Sequence, residues 1–356
     1  MDVAGRLSRL RTAHPDPLLV TNLRNIRYLT GFTGTAALLL VTPDGLVFTT
    51  DGRYKEQSAD QLGATGVQAT FHVGGVRDQQ DAIAAASRPY DRIGLEAGNV
   101  TWAQQRAMAT TWFPHAELIP TEDVVEALRR VKDEGEVARI RAAADIADRA
   151  LAATLPLLDD RPTEAEFGLV LDTEMRRLGA SDTSFETIVA SGPNGAKPHH
   201  RPSSRRIERG DLVVLDFGAL VDGYCSDMTR TVSVGPAGAE ARRMYDVVRR
   251  SQQAGVDAVR AGVPASDVDK ACRDLITEAG WGDAFVHGTG HGVGLDIHEA
   301  PAVWSKSPDT LAAGHVVTVE PGVYLPGIGG VRIEDTVVVT EEGRVALTAS
   351  PKELVL

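Results

Sequence analysis

LVVLDFGALVDGYCSDMTRTVSV, residues 212–234, is the stretch on which the fold turns. Two β-rich runs flank Asp222-Gly223, a hairpin turn signal. A symmetric hairpin centred between Val221 and Asp222 sets Asp216 directly opposite Asp227 on one face. Opposed residues of an antiparallel pair have Cβ atoms roughly 4.5–5.5 Å apart. Two carboxylates at that separation repel unless a cation joins them. The pattern suits one metal shared between them, or a pair of metals bridged by one of them. The alternative is that both point to solvent, or that one pairs with Arg230.

A second strand pair lies downstream in HVVTVEPGVYLPGIGGVRIEDTVVVT, residues 315–340. Glu320 interrupts its first apolar run and Glu334 its second. A buried carboxylate without a partner is very costly, so both need one. Arg332 precedes Glu334 by two residues, shares its face and is placed to orient it; a plain Arg–Glu ion pair is the simpler alternative. Between the strand pairs, FVHGTGHGVGLDIHEAP (285–301) holds His287, His291 and His298, with glycines at 288, 290, 292 and 294. Those glycines imply that some group approaches the backbone closely. The histidine spacing is not the H-E-x-x-H of helical zinc peptidases. Upstream, ASGPNGAKPHHRP (190–202) adds His199 and His200 after a turn-rich stretch. Four carboxylates with one imidazole suit Mn²⁺, Co²⁺, Fe²⁺ or Zn²⁺, and are unlike a closed, Cys-rich structural zinc site.

The rest of the chain frames these segments. Its 356 residues suggest two domains. In the first ~120 residues, AALLLV (36–41) and LVFTT (46–50) read as a hairpin around Pro43-Asp44-Gly45. VQATFHV (67–73) and DRIGLEA (91–97) read as further strands, with helices near 52–62, 77–88 and 101–112. This is a mixed α/β domain, and RRVKDEGE (129–136) marks the passage to the next. Helices then follow at 136–158 and 163–178. Thr163 and Glu166 form a capping box, and Gly179 is a helix stop. The plan recurs at 238–261 and 265–279. Pro162 and Pro264 stand 102 residues apart, and FETIVASGPN (185–194) lines up with FVHGTGHGVG (285–294). Two α/β halves related by a pseudo-two-fold are expected, with a site at their junction.

A formal net charge of -12 argues against nucleic-acid and anionic-membrane partners. No stretch approaches 18 apolar residues, and the N-terminus lacks the apolar core of a signal peptide. Two cysteines outside any C-x-x-C pair fit a reducing cytoplasm.

Taken jointly, LDFGA around Asp216, YCSDMTRT around Asp227, GTGHGVGLDIHEAP around His291, VEPGVY around Glu320 and GVRIEDTV around Glu334 resemble the pita-bread metallopeptidases. The resemblance is specifically to the Xaa-Pro peptidases, aminopeptidase P and prolidase. YLTGFTG (28–34) resembles their creatinase-like N-terminal domain. The resemblance implies an α/β (α+β) chain with that domain at 1–123 and a pita-bread catalytic domain at 124–356. It implies two divalent ions, with Mn²⁺ first, held by Asp216, Asp227, His291, Glu320 and Glu334. Asp227 and Asp216 fall on one ion and His291 and Glu320 on the other; chemistry favours Asp227 and Glu334 as bridges. Glu320 is then also the general base. His199 matches the family's substrate-side histidine, 17 positions before Asp216, while His200 has no implied role. His298 donates to the scissile carbonyl or the tetrahedral intermediate, His287 contacts substrate or shapes the pocket, and Arg332 supports the ligands and substrate.

The implied activity is hydrolysis of the Xaa-Pro bond at the N-terminus of peptides by a cytoplasmic homodimer that binds neither nucleic acid nor membrane. The nearest alternative is an Xaa-Pro dipeptidase; a non-catalytic peptide-binding protein on the same fold is more remote. A methionine aminopeptidase would lack the extra N-terminal domain, and creatinase-type enzymes do without the metals.

Overall fold

In the first part of the chain, short apolar runs separated by turn residues pair into one six-stranded mixed sheet. The computed structural model describes residues 2–354. The sheet order is Thr70–Val73, Leu46–Thr50, Ala37–Val41, Leu18–Val20, Arg92–Glu96, Glu117–Thr121. Ala37–Val41 and Leu46–Thr50 form the expected hairpin, with Ala37 opposite Thr50 and Val41 opposite Leu46. Leu18–Val20, three buried apolar residues, joins that hairpin to the parallel strand Arg92–Glu96. It is too short to show a period, and sequence reading did not find it. Helix Leu23–Thr30 was missed too; Asn22 caps it, accepting from Arg24 N, and Gly31 ends it at φ 79°. The helices Lys55–Thr65, Val76–Ser87 and Trp102–Ala107 match expectation.

The chain divides into Met1–Arg129 and Arg130–Leu356, not at 123/124. Helix Val124–Arg129 belongs to the first unit because polar side chains tie it there. Asn25 Nδ2 donates to Glu126 Oε1 at 2.6 Å, Arg129 Nη1 to Asn25 Oδ1 at 2.8 Å and the Tyr28 hydroxyl to Leu128 O at 3.1 Å.

In the second unit, helix Glu134–Thr154 starts from an Asp133–Glu136 capping box and continues as a 3-10 turn to Asp160. The expected Thr163–Glu166 box caps Glu164–Arg177, with Thr163 N donating to Glu166 Oε2 at 2.8 Å. Helices Ala239–Ala258 and Ala265–Glu278 repeat the pair. Each helix pair covers its own core. Phe167, Leu171 and Met175 pack with Val213, Leu215 and Phe217 in the first half. Met244, Val248, Val268 and Ile276 pack with Val317, Val319 and Val337 in the second.

Two hairpins carry the carboxylates. In the first, Leu212–Phe217 pairs with Met228–Ser233, and Ala219–Val221 with Tyr224–Cys225. Asp222 and Gly223 have φ of 46° and 72°, both left-handed as a type I′ turn demands. The hairpin centre therefore lies between Asp222 and Gly223, one position beyond the expected one. Asp216 faces Thr229, not Asp227. A one-position move of the turn shifts the pairing by two residues, which preserves the face of every side chain. Asp227 remains on the face of Asp216, as its diagonal neighbour. In the second hairpin, Val316–Val319 pairs with Asp335–Val339, and Gly322–Leu325 with Gly329–Arg332. The register is continuous across the interruption, so Glu320 stands opposite Glu334. The ladder is interrupted at Gly218 and Asp227 in one hairpin and at Glu320 and Glu334 in the other, while Asp216 stays in the ladder opposite Thr229. The hairpins join where Glu334 N donates to Thr229 O at 3.1 Å and Thr231 Oγ1 to Arg332 O at 2.8 Å. No helix among the described residues is long and apolar enough to cross a membrane.

Candidate metal centre

A ladder interruption turns a strand residue's polar group inward without losing the strand on either side. Both hairpins use this, and their carboxylates converge on one cleft of about 460 Å³. Asp216, Asp227, His291, Glu320 and Glu334 all line it, together with His199, His200, His287, His298 and Arg332. Every site residue singled out from the sequence therefore reaches this cleft. Asp227, His291 and Glu334 each present a ligand atom within 4.8 Å of the others. His291 Nε2 lies 3.2 Å from Glu320 Oε1 and 3.5 Å from Asp227 Oδ2. Its Nδ1 is 3.0 Å from Gly292 O. Donation from Nδ1 to that carbonyl points Nε2 at the carboxylates, so that a metal displacing the Nε2 proton would find the imidazole already oriented.

The electrostatics favour a cation among the carboxylates. Burial, then the charge of Asp216, pushes the Asp227 carboxyl well above its ordinary range. Burial, then Asp227, does the same to Glu334. Burial also raises Asp216, against the pull of Arg332. Burial would raise Glu320 as well, but the hydrogen bond and charge of His291 reverse this and hold it at about 2. Burial disfavours the His291 cation, yet Glu320 and Asp227 bring the ring to about 9. Asp216 Oδ1 and Glu334 Oε1 are buried without a hydrogen-bond partner. Two orphaned carboxylate oxygens in a buried cluster of four carboxylates and one imidazole fit divalent cations, which would satisfy both oxygens and let the carboxylates stay charged.

Arg332 was expected to orient Glu334 directly, and here the structure differs. Its guanidinium, with almost no exposure, crosses to the other hairpin and pairs with Asp216. Nε donates to Thr229 Oγ1 at 3.1 Å, and Thr229 Oγ1 donates to Glu334 Oε2 at 2.7 Å. Thr229 thus relays Arg332 to Glu334. Arg230 takes neither aspartate; it is buried against Asp335 at 2.9 Å. Tyr324 forms a further relay. Arg332 Nη1 donates to its hydroxyl at 2.7 Å, and the hydroxyl stands 2.8 Å from His287 Nε2. His287 Nδ1 lies 2.7 Å from Gly288 O, so a single tautomer runs the chain from Arg332 to that carbonyl. Thr229 and Tyr324 were not singled out from the sequence. Their only signal was position: Thr229 follows Asp227 by two residues, and Tyr324 precedes Arg332 in the opposing strand.

The His298 ring packs edge-on to His291, centroids 4.3 Å apart. His200, at the edge of the cleft, is tied by its ring to a buried carboxylate: its Nε2 is 2.9 Å from Glu164 Oε2. The glycines of 285–301 admit this chain's own groups. A Cβ at Gly290 would fall 2.1 Å from Thr318 O, one at Gly292 2.5 Å from Ala300 O, and one at Gly294 2.6 Å from the Glu299 carboxylate.

Comparison with known proteins agrees with this architecture. Residues 138–341 match metallopeptidase family M24, and residues 6–131 match the creatinase/prolidase N-terminal domain. The peptidase YqhT of Bacillus subtilis is 41% identical over 341 residues, 96% of each chain. The structure of an Xaa-Pro dipeptidase from Bacillus anthracis superposes with a TM-score of 0.94 at 42% identity, covering 99% of this chain and 100% of that one. An X-Pro aminopeptidase from Thermotoga maritima gives a TM-score of 0.89 at 35% identity, covering 96% and 97%.

Proposed function

Because this chain belongs to metallopeptidase family M24 and carries a creatinase/prolidase N-terminal domain, we propose that it hydrolyses the Xaa-Pro bond at the N-terminus of peptides. Two divalent ions, Mn²⁺ first, would be held by Asp216, Asp227, His291, Glu320 and Glu334. The observation that carries this reading is the buried carboxylate cluster with its two unpartnered oxygens, Asp216 Oδ1 and Glu334 Oε1. Bound there, the ions supply Lewis acidity that lowers the pKa of water and polarises a carbonyl.

The chain's own residues supply the rest. Glu320, kept ionised, is the general base that takes the proton of the attacking water. His298 is disfavoured as a cation by burial and by His291; as a neutral ring it donates one N–H to the oxyanion that develops at the scissile carbonyl. His199 and His287 line the substrate side. Arg332 holds Asp216 and, through Thr229, Glu334 in place. Proline removes the amide N–H that other peptidases grip, so recognition falls to the free N-terminus at the carboxylate floor and to the ring. Phe185, Ile188 and Ile297 give the same cleft an apolar wall suited to that ring.

A second reading, an Xaa-Pro dipeptidase, is favoured by the likeness to the Xaa-Pro dipeptidase from Bacillus anthracis. Rates on Xaa-Pro against Xaa-Pro-Yaa, with the metal varied, separate the two. Cleavage of both supports the aminopeptidase, and of the dipeptide alone the dipeptidase. Absence of any Mn²⁺- or Co²⁺-stimulated cleavage overturns both. The homodimer is checked by light scattering. Cytoplasmic residence fits two buried thiols, Cys225 and Cys272, and is checked by fractionation.

A further inference from the structure

Lys132 and Glu299 form an ion pair at 2.9 Å, with side-chain exposures of 1% and 8%. Desolvating two opposite charges is expensive, and removing one partner alone strands the other. Neither residue is in the cleft lining, yet Glu299 directly follows His298. Its placement connects the pair to the site. Gly292 and Glu299 face each other across an antiparallel pair, and residues 293–298 form the loop between them. Glu299 Oε1 accepts the backbone N–H of Asp296 at 3.0 Å. The Glu299 carboxylate lies so close to Gly294 that a Cβ there would clash with it. The loop closes on itself where Gly294 N donates to Asp296 O at 3.0 Å, and Cys225 N donates to Gly294 O at 2.8 Å. Glu299 thus folds back over the loop that begins after His291 and ends in His298, and Lys132 holds the far oxygen of its carboxylate. Lys132 is itself fixed: its N–H donates to Gly314 O at 2.9 Å, and the next residue, Asp133, caps helix Glu134–Thr154.

We propose that Lys132 is a positioning residue for the reaction: by holding Glu299 it clamps the 293–298 loop and sets the His298 ring against His291. The inference rests on the peptidase reading for its kinetic consequence, but its structural consequence is independent of it. A loop clamped by a charged carboxylate keeps its terminal histidine in one orientation. A carboxylate that loses its ammonium partner no longer holds the loop in one arrangement.

The test uses the full-length holoenzyme and the variants Lys132→Met, Glu299→Gln and Lys132→Arg, each alone and with His298→Ala. Displacing a reacting group by about 1 Å can cost about 100-fold, and losing the outer support of a metal site about 10–100-fold. Lys132→Met should lower kcat by about 10–100-fold with KM changed less than about threefold, and Lys132→Arg should recover part of the loss. In the His298→Ala background Lys132→Met should cost little more, since both act through one ring. Should Lys132→Met fail to fold, Glu299→Gln, which keeps the shape, carries the same cycle. An undiminished Lys132→Met effect in the His298→Ala background would overturn the proposal. With diamagnetic Zn²⁺ in place of Mn²⁺, ring ¹H–¹³C resonances of His298 provide the readout that needs no turnover: they should shift in Lys132→Met while those of His72 do not. Superimposable His298 resonances overturn the proposal even if the protein cleaves no Xaa-Pro peptide.

Discussion

Thr229 touches both Arg332 and Glu334 through one oxygen. Replacing it by valine keeps the shape and removes the donor, leaving both Glu334 oxygens without a side-chain partner. Supporting residues of this kind typically contribute 10–100-fold to metal affinity. Thr229→Val should therefore weaken metal binding by about 10-fold or more with little loss of secondary structure, measured by titration of the chelated protein. Glu320→Gln should abolish turnover and leave the circular dichroism unchanged; full activity would refute Glu320 as the base. Away from the ligands, Glu164 takes hydrogen bonds from Ser191, Ser203, Asn194 and His200. Burial pushes its pKa up, but the donors of Ser203, Ser191 and Asn194 prevail and carry it from 4.5 to about 2. A folded value below the unfolded one gives stability that is fully present above the unfolded pKa and is lost as pH falls toward 2. Urea midpoints between pH 5 and 2 should fall more steeply for the wild type than for Glu164→Gln. Equal slopes would show that the carboxylate is not held as described. The same residue explains why His199 and His200, adjacent in sequence, part company: Glu164 takes His200 behind the loop, a partner 36 residues away that no local pattern indicates.

At the scale of elements, the two hairpins were legible because Asp222-Gly223 and the Gly/Pro-rich 326–330 are strong turn signals between β-rich runs. The first turn lies one residue beyond the position that symmetry about the two aspartates suggests, because the two-residue Asp222-Gly223 loop, left-handed at both residues, fixes the register by itself. The relation of the carboxylates survived because alternate residues share a face. Leu18–Val20 was invisible for the opposite reason: a three-residue strand is defined by its neighbours, not by its own pattern. Arg332 shows a third kind of limit. Face sharing predicted its neighbour along the strand, but a long guanidinium reaches across to another hairpin. The glycines at 288 and 290 allow a graded prediction. A Cβ at Gly290 meets Thr318 O at 2.1 Å, whereas one at Gly288 meets Val303 O at 3.0 Å. Overpacking costs about 1–3 kcal/mol, occasionally more. Gly290→Ala should lie at or beyond the upper end of that range and reduce metal occupancy, because His291 is the next residue; Gly288→Ala should be milder. Chemical denaturation with metal analysis checks both, and equal effects would mean that the backbone approach at 290 is not fixed.

For the whole molecule, metal, proton and folding equilibria are linked through one cluster. All five proposed ligands lie between Asp216 and Glu334, within the unit that begins at Arg130. Without a cation, the mutual repulsion of Asp216, Asp227, Glu320 and Glu334 is relieved by protons, chiefly on Asp227 and Glu334, whose carboxyls are both pushed well above their ordinary range. A divalent ion must displace those protons. Metal binding near neutral pH should therefore release protons, and its calorimetric enthalpy should vary with the ionisation enthalpy of the buffer. The sign is fixed: protons compete for the same oxygens, so affinity falls as pH falls. An ion that binds only the folded chain also adds RT ln(1 + [L]/Kd) to stability, about 2.7 kcal/mol at a hundredfold excess over Kd. Chelation should accordingly lower Tm, and Mn²⁺ should restore it, more completely at pH 8 than at pH 6. A Tm indifferent to chelator, or a binding enthalpy indifferent to buffer, would mean that the carboxylates satisfy one another by sharing protons. The unpartnered oxygens of Asp216 and Glu334 argue against that outcome. Each is buried with no hydrogen-bond partner, the deficit that a divalent ion would fill.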